Sequence, residues 1–257
     1  MLLENKNAVI MGAGSGVGRA SALRFAEEGA KVVVADLQPD WAKETVRVIE
    51  AAGGTGVAVE CDVAQDDQVA RTIAAAVEQF GRLDIVFNNV GISTPRPGLI
   101  FEDHTIDDFD RLIAVNLRGV FSGCRHAVVQ FKKQGGGGVI LNTGSVAGLV
   151  GWGGTVYGST KGGVHQLTRA VAIECAPFNI RVNAICPAGM PFTNFTGGPD
   201  MPAEQRQAMA EQVGAMHPLG RPITAEDCAE AAVFLVSDRA ANITGVLFPV
   251  DGGYVAR

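Results

Sequence analysis

The chain has 257 residues, 47% of them hydrophobic and 19% charged, with a formal net charge of −6. That balance excludes a nucleic-acid backbone as the ordinary partner, because affinity for it comes from clustered Lys and Arg; the apolar content excludes extended disorder. Cys61, Cys124, Cys175, Cys186 and Cys228 lie at wide spacings without a CxxC pair, which reads as buried free thiols in a reducing compartment.

In chain order, the first residues lack the basic region and long apolar core of a signal peptide, and no later segment is apolar for long enough to span a bilayer. A cytoplasmic location is therefore expected. Short β-branched runs follow at Ala8–Met11, Lys31–Ala35, Gly56–Val59, Ile85–Asn88, Gly138–Thr143, Ile180–Ile185 and Val246–Val250. Between them lie helical periodicities at Val17–Glu28, Asp40–Ala51, Gln65–Phe80, Ile106–Gln130, Tyr157–Ala176 and Ala225–Ser237. Strands apolar on both faces, alternating with helices, predict an α/β fold: one doubly wound, seven-stranded parallel sheet with helices on both faces, in a single domain. Pro187–Leu219 breaks the rhythm with prolines, glycines and a short helical stretch near Ala203–Val213. Its place after the sixth strand predicts a substrate lid, at about 187–219.

The first strand runs into Gly12-Ala-Gly-Ser-Gly-Val-Gly18, which opens a helix. Missing side chains let the backbone approach a pyrophosphate, and the helix start offers free N–H groups and a favourable dipole. Asp36, ending the second strand, is placed to accept hydrogen bonds from an adenosine ribose and to repel a 2′-phosphate. Neither Ser15 nor Leu37 supplies the basic group that would welcome that phosphate. The expected cofactor is NAD, bound on a Rossmann fold.

Tyr157 and Lys161 are spaced one helical turn apart, on one face. A tyrosine of ordinary pKa, ~10, is a poor proton donor or acceptor at neutral pH; a nearby ammonium is expected to lower it. Ser145 follows the fifth strand in Asn142-Thr-Gly-Ser145, twelve residues before Tyr157. The four histidines, His104, His126, His165 and His217, show no metal-ligand spacing, so no metal is expected.

The glycine spacing G-x-x-x-G-x-G, with Ser145, Tyr157 and Lys161, resembles the short-chain dehydrogenase/reductase family along essentially the whole chain. Met11 stands where relatives carry a threonine, and Val90, in Asn88-Asn89-Val90-Gly91, where they carry an alanine. The resemblance implies an oxidoreductase that moves a hydride between a secondary alcohol or ketone and the nicotinamide. Tyr157 would act as acid–base and contact the cofactor, Ser145 would hold the substrate oxygen, Lys161 would tune Tyr157 and bind the nicotinamide ribose, and Asn116 would hold a water leading to Lys161. It also implies cofactor contacts from Gly12, Ser15, Gly16, Val17 and Gly18, then Asp36 and Leu37, then Cys61, Asp62 and Val63 around the adenine. Asn89, Val90 and Gly91 line the ribose, and Pro187, Gly189, Met190 and Thr193 the nicotinamide. Strict alignment puts Phe192 where relatives often have a carboxamide-binding threonine, with Thr193 one place beyond. Substrate contacts are expected from Ser145, Val146, Trp152, Tyr157 and Phe192, along with Ser93, Thr94, Pro95 and Leu149. This apolar lining favours a hydrophobic, cyclic or steroid-like alcohol; had the target been a carboxylate, Arg96 is the cation in reach. Family members commonly form homotetramers. The rival readings are a carrier-bound 3-oxoacyl reductase, to which Asp36 and the acidic chain are ill suited, and a non-catalytic NAD-binding scaffold, which would ordinarily have lost Tyr157 or Lys161.

Overall fold

A computed structural model describes the chain except Pro95, Pro97, Phe192, Asn194, residues 196–201 and Arg257. Seven strands, β1 (Asn7–Met11), β2 (Lys31–Asp36), β3 (Thr55–Glu60), β4 (Ile85–Asn88), β5 (Gly138–Thr143), β6 (Ile180–Pro187) and β7 (Leu247–Val250), form one sheet in the order β3-β2-β1-β4-β5-β6-β7. Every pairing is parallel. The helices are α1 (Gly16–Glu27), α2 (Pro39–Ala51), α3 (Asp66–Phe80), α4 (Ile106–Ile113), α5 (Gly119–Gln134), α6 (Thr155–Cys175), α7 (Ala203–Met216) and α8 (Ala225–Val236).

All of β1 is buried, as a strand covered on both faces requires. Its side chains alternate between two cores: Ile10 joins Val32, Val34, Phe25 and Phe87 on one face, while Val9 joins Val33, Val86, Ile140 and Phe131 on the other. Chain order reverses between β1 and β4, which opens a crevice at their carboxyl ends. Buried polar links fix the layers around that point. Asn88 Nδ2 donates to Asn142 Oδ1 (2.9 Å), and Asn142 Nδ2 to Thr168 Oγ1 of α6 (3.0 Å). Arg181 of β6 donates to the carbonyls of Leu235, Val236, Ser237 and Ile243, absorbing acceptors that the end of α8 leaves without helical partners.

The periodicity predicts one helix over Ile106–Gln130. The structure instead inserts a π-helical turn, Ala114–Arg118, between α4 and α5, and α5 runs on to Gln134. The wide turn carries Asn116, whose side chain leaves the helix to bond another segment: Oδ1 accepts from Ile92 N (2.8 Å) and Nδ2 donates to Ile92 O (2.9 Å). Among the described residues, no helix is long and apolar enough to cross a membrane.

Candidate active site

A cavity of about 590 Å³ opens where the strand order reverses. One end is the glycine turn. Gly12 has φ +75 and Gly16 φ +52, conformations that a side chain resists. A Cβ at Gly18 would stand 1.9 Å from Gly12 O, and one at Gly14 2.7 Å from Trp41 Cβ and 2.9 Å from the Asp36 carboxylate. Ser15 caps α1 without using its side chain, and no acidic residue occupies the first turn. The helix start therefore presents unspent N–H groups and no competing negative charge. Asp36 Oδ2 accepts from Gly14 N (2.9 Å) and Oδ1 from Gln38 N (3.0 Å), which orients the carboxylate and leaves lone pairs for a diol.

At the other end, Ser145, Tyr157 and Lys161 share the cavity wall. Ser145 Oγ accepts from Ala147 N (3.1 Å) and donates to Pro187 O (3.4 Å). Lys161 is 1% exposed, donates to Thr143 O (2.8 Å), and holds Nζ 5.7 Å from the centre of the Tyr157 ring. Burial pushes its pKa down to about 8. The spacing predicts that the ammonium lowers the Tyr157 pKa; burial instead pushes the phenol up to about 12, outweighing the opposing hydrogen bond with Ser145. The ammonium is spent on the Thr143 backbone carbonyl rather than on the phenol.

The Lys161 shift carries a stability signature. Its folded value, about 8, lies below its ordinary 10.5, so between these limits the unfolded chain binds more protons and stability attributable to this residue rises with pH. We expect the melting temperature of the wild type, less that of Lys161→Met, to climb between those two pH values. A flat difference would mean that the folded lysine titrates normally.

Of the expected residues, Gly12, Ser15, Gly16, Val17, Asp36, Leu37, Asn89, Val90, Gly91, Trp152, Pro187, Gly189, Met190 and Thr193 also line the cavity. Others stand behind its wall. Gly18 is pressed on the Gly12 carbonyl, Val63 packs at Gly119, and Cys61 and Val146 are buried in the packing. The Asp62 carboxylate accepts from Ala64 N (2.9 Å), and Asn116 lies beyond Gly91. Phe192 and Pro95 fall outside the described residues. Arg96 is committed to Asp108 and the Asp103 carbonyl, holding the Asp108 pKa down to about 2. Arg111, Thr143 and Trp41 line the cavity without having been singled out in the sequence. Trp41, an aromatic residue soon after the strand-end Asp36, was the readable signal among them.

A family model described as enoyl-(acyl carrier protein) reductase matches residues 12–255. A solved short-chain type dehydrogenase/reductase from Mycobacterium marinum superposes with TM-score 0.88 at 30% identity, covering 99% of this chain and 97% of that one. The chain belongs to the short-chain dehydrogenase/reductase family. Among its relatives, the 2,5-dichloro-2,5-cyclohexadiene-1,4-diol dehydrogenase of Sphingobium indicum is 40% identical over 98% of this chain and 97% of its own. The 3beta-hydroxysteroid dehydrogenase 1 of Eggerthella lenta is 39% identical over 98% and 94%. A short-chain dehydrogenase/reductase is an oxidoreductase on a Rossmann fold, and this fold implies a nicotinamide cofactor. The glycine turn, the open start of α1 and the Asp36 carboxylate fit such a group.

Proposed function

We propose that the protein is an NAD-dependent dehydrogenase that interconverts an apolar, cyclic secondary alcohol and its ketone. The observation that carries this reading is the convergence of Ser145, Tyr157 and Lys161 on the same cavity as the glycine turn and Asp36. When bound, the nicotinamide supplies the hydride acceptor or donor. Gly12, Ser15, Gly16 and Val17 would hold its phosphates, Asp36 its adenosine ribose, and Lys161, Asn89, Val90 and Gly91 the far ribose. Tyr157 Oη exchanges the proton of the substrate hydroxyl, and Ser145 Oγ holds that oxygen in line. Asn116 braces Ile92 beside Lys161.

Ile92, Trp152, Met190 and Phe195 give the substrate end an apolar lining. The cyclic substrates in the names of the two relatives agree with it. Phe195 lies with its ring 5.5 Å from that of Tyr157, which supports the 187–219 segment as a lid. Exposed Phe121 and Val129 on α5 and Ile173 on α6 suit burial in a homotetramer.

The test follows reduced-nicotinamide absorbance while purified protein meets a panel of cyclic secondary alcohols with NAD or NADP. Turnover with NAD is the expected result, and turnover confined to NADP would overturn the cofactor assignment. Asp36→Ser removes a charged acceptor from the ribose, so kcat/KM for NAD should fall by about 10- to 100-fold while that for NADP holds or rises. An unchanged NAD/NADP ratio would remove Asp36 from the site.

A further inference from the structure

The histidines of this chain have no metal-ligand spacing, yet one of them sits directly beneath Ser145. His165 lies one turn after Lys161 on the same face of α6 and is 2% exposed. Its Nε2 is 3.3 Å from the backbone nitrogen of Ser145 and 3.3 Å from Cys186 Sγ of β6. The ring occupies a slot that two glycines leave open. A Cβ at Gly144 would stand 2.5 Å from Nε2, and one at Gly148 2.6 Å from Cε1 and 2.7 Å from Nδ1. No ordinary residue on either side of Ser145 would admit an imidazole there.

We propose that His165 is a positioning residue for Ser145, its unprotonated Nε2 accepting the Ser145 N–H and so fixing the turn that aims Ser145 Oγ into the cavity. The inference rests on the catalytic reading of Ser145 given above.

The chemistry is specific about the proton. A nitrogen that accepts from an N–H carries no proton, so the ring is neutral with its hydrogen on Nδ1, facing the Gly148 backbone. Burial favours that form, holding the His165 pKa down to about 4. The Cys186 thiol, pushed up to about 12 by burial, keeps its proton and shares the same acceptor. The bond from the Ser145 backbone N–H to Nε2 ties the start of the turn Val146–Gly148 to α6, satisfying a buried donor. A displacement of about 1 Å in a catalytic group costs on the order of a hundredfold in rate, which is the scale at stake in losing this hold.

Glutamine can place its carboxamide oxygen where Nε2 lies, whereas leucine fills the slot without an acceptor. His165→Leu is expected to lower kcat by about 10- to 100-fold with the KM for the nicotinamide cofactor unchanged, and His165→Gln to restore the rate to within a few-fold of wild type. In a Ser145→Ala background, His165→Leu should add no further loss. An equal further loss there would overturn the proposal, because His165 would then act on the fold rather than through Ser145. Should Ser145→Ala alone keep full activity, the catalytic reading of Ser145 is what fails. Nitrogen-15 NMR of the wild-type imidazole decides the matter independently of any variant's folding. The Nδ1-protonated tautomer at neutral pH is expected, and an Nε2-protonated ring would overturn the assignment.

Discussion

Tyr157→Phe is expected to lower kcat/KM for alcohol oxidation by about three orders of magnitude, within the range that a positioned acid–base group contributes. Phenylalanine keeps the ring against Phe195 and removes only the oxygen, so cofactor affinity and melting temperature should stay near wild type. Binding of the dinucleotide, measured by calorimetry, separates a lost proton route from a damaged site. The pH profile gives a second check. Burial pushes the phenol up to about 12 and Lys161 down to about 8, so the proton must leave the tyrosine against its own burial. A positive group brought close to the phenol lowers that barrier. The wild-type rate should therefore rise with pH from the neutral range, and the variant's residual rate should lose that rise. A Tyr157→Phe variant retaining a tenth or more of the activity would remove Tyr157 from the proton path.

Gly18→Ala should be the most damaging single methyl in the cofactor end of the cavity. Its Cβ would lie 1.9 Å from the Gly12 carbonyl oxygen and 2.6 Å from Asn89 Nδ2. Backbone cannot yield there cheaply: Gly12 is held by its N–H on Ala35 O (2.8 Å), and Asn89 spans from Gly12 O (3.2 Å) to Thr143 Oγ1 (3.0 Å). Overpacking of this kind costs ~3 kcal/mol, or roughly 10 °C in melting temperature for a chain of this size. Because the displaced atoms form the turn itself, dinucleotide affinity should fall by about a hundredfold as well. Differential scanning calorimetry and a binding titration read the two effects. Unchanged values in both would mean that α1 does not approach β1 as closely as described.

The sheet was legible because a strand covered on both faces must be apolar throughout, and the runs at Val32–Val34 or Ile85–Phe87 have no other economical explanation. The glycine turn was legible for a similar reason: Gly12 and Gly18 answer to close approaches of backbone, and Gly12 and Gly16 to left-handed φ. What escaped the sequence depends on contacts between distant segments. Nothing near Asn116 announces that Ile92 will capture its side chain, so the periodicity ran through the π turn as though the helix were regular. Arg96 was the cation in reach by position along the chain, yet Asp108 claims it and Arg111 faces the cavity instead. The direction of the Tyr157 shift also lay beyond spacing, since it turns on how deeply the phenol is buried and on the carbonyl that Lys161 prefers. Nothing near His165 in the sequence points to Ser145, because the two glycines that make room for its ring lie outside α6.

The widened turn at Ala114–Arg118 uses one residue more than an α-helical turn would. Shortening the chain by one residue there would give a regular helix and so cost nothing in local hydrogen bonding. Every later side chain on α5 would nevertheless swing by about 100° about the axis. Val120, Cys124, Ala127 and Phe131 would leave the core together, and Gly123 would no longer face Asn88. The chain length between Leu112 and Val120 is thus as strictly determined as any side chain in the site, although no individual residue in the interval reveals it.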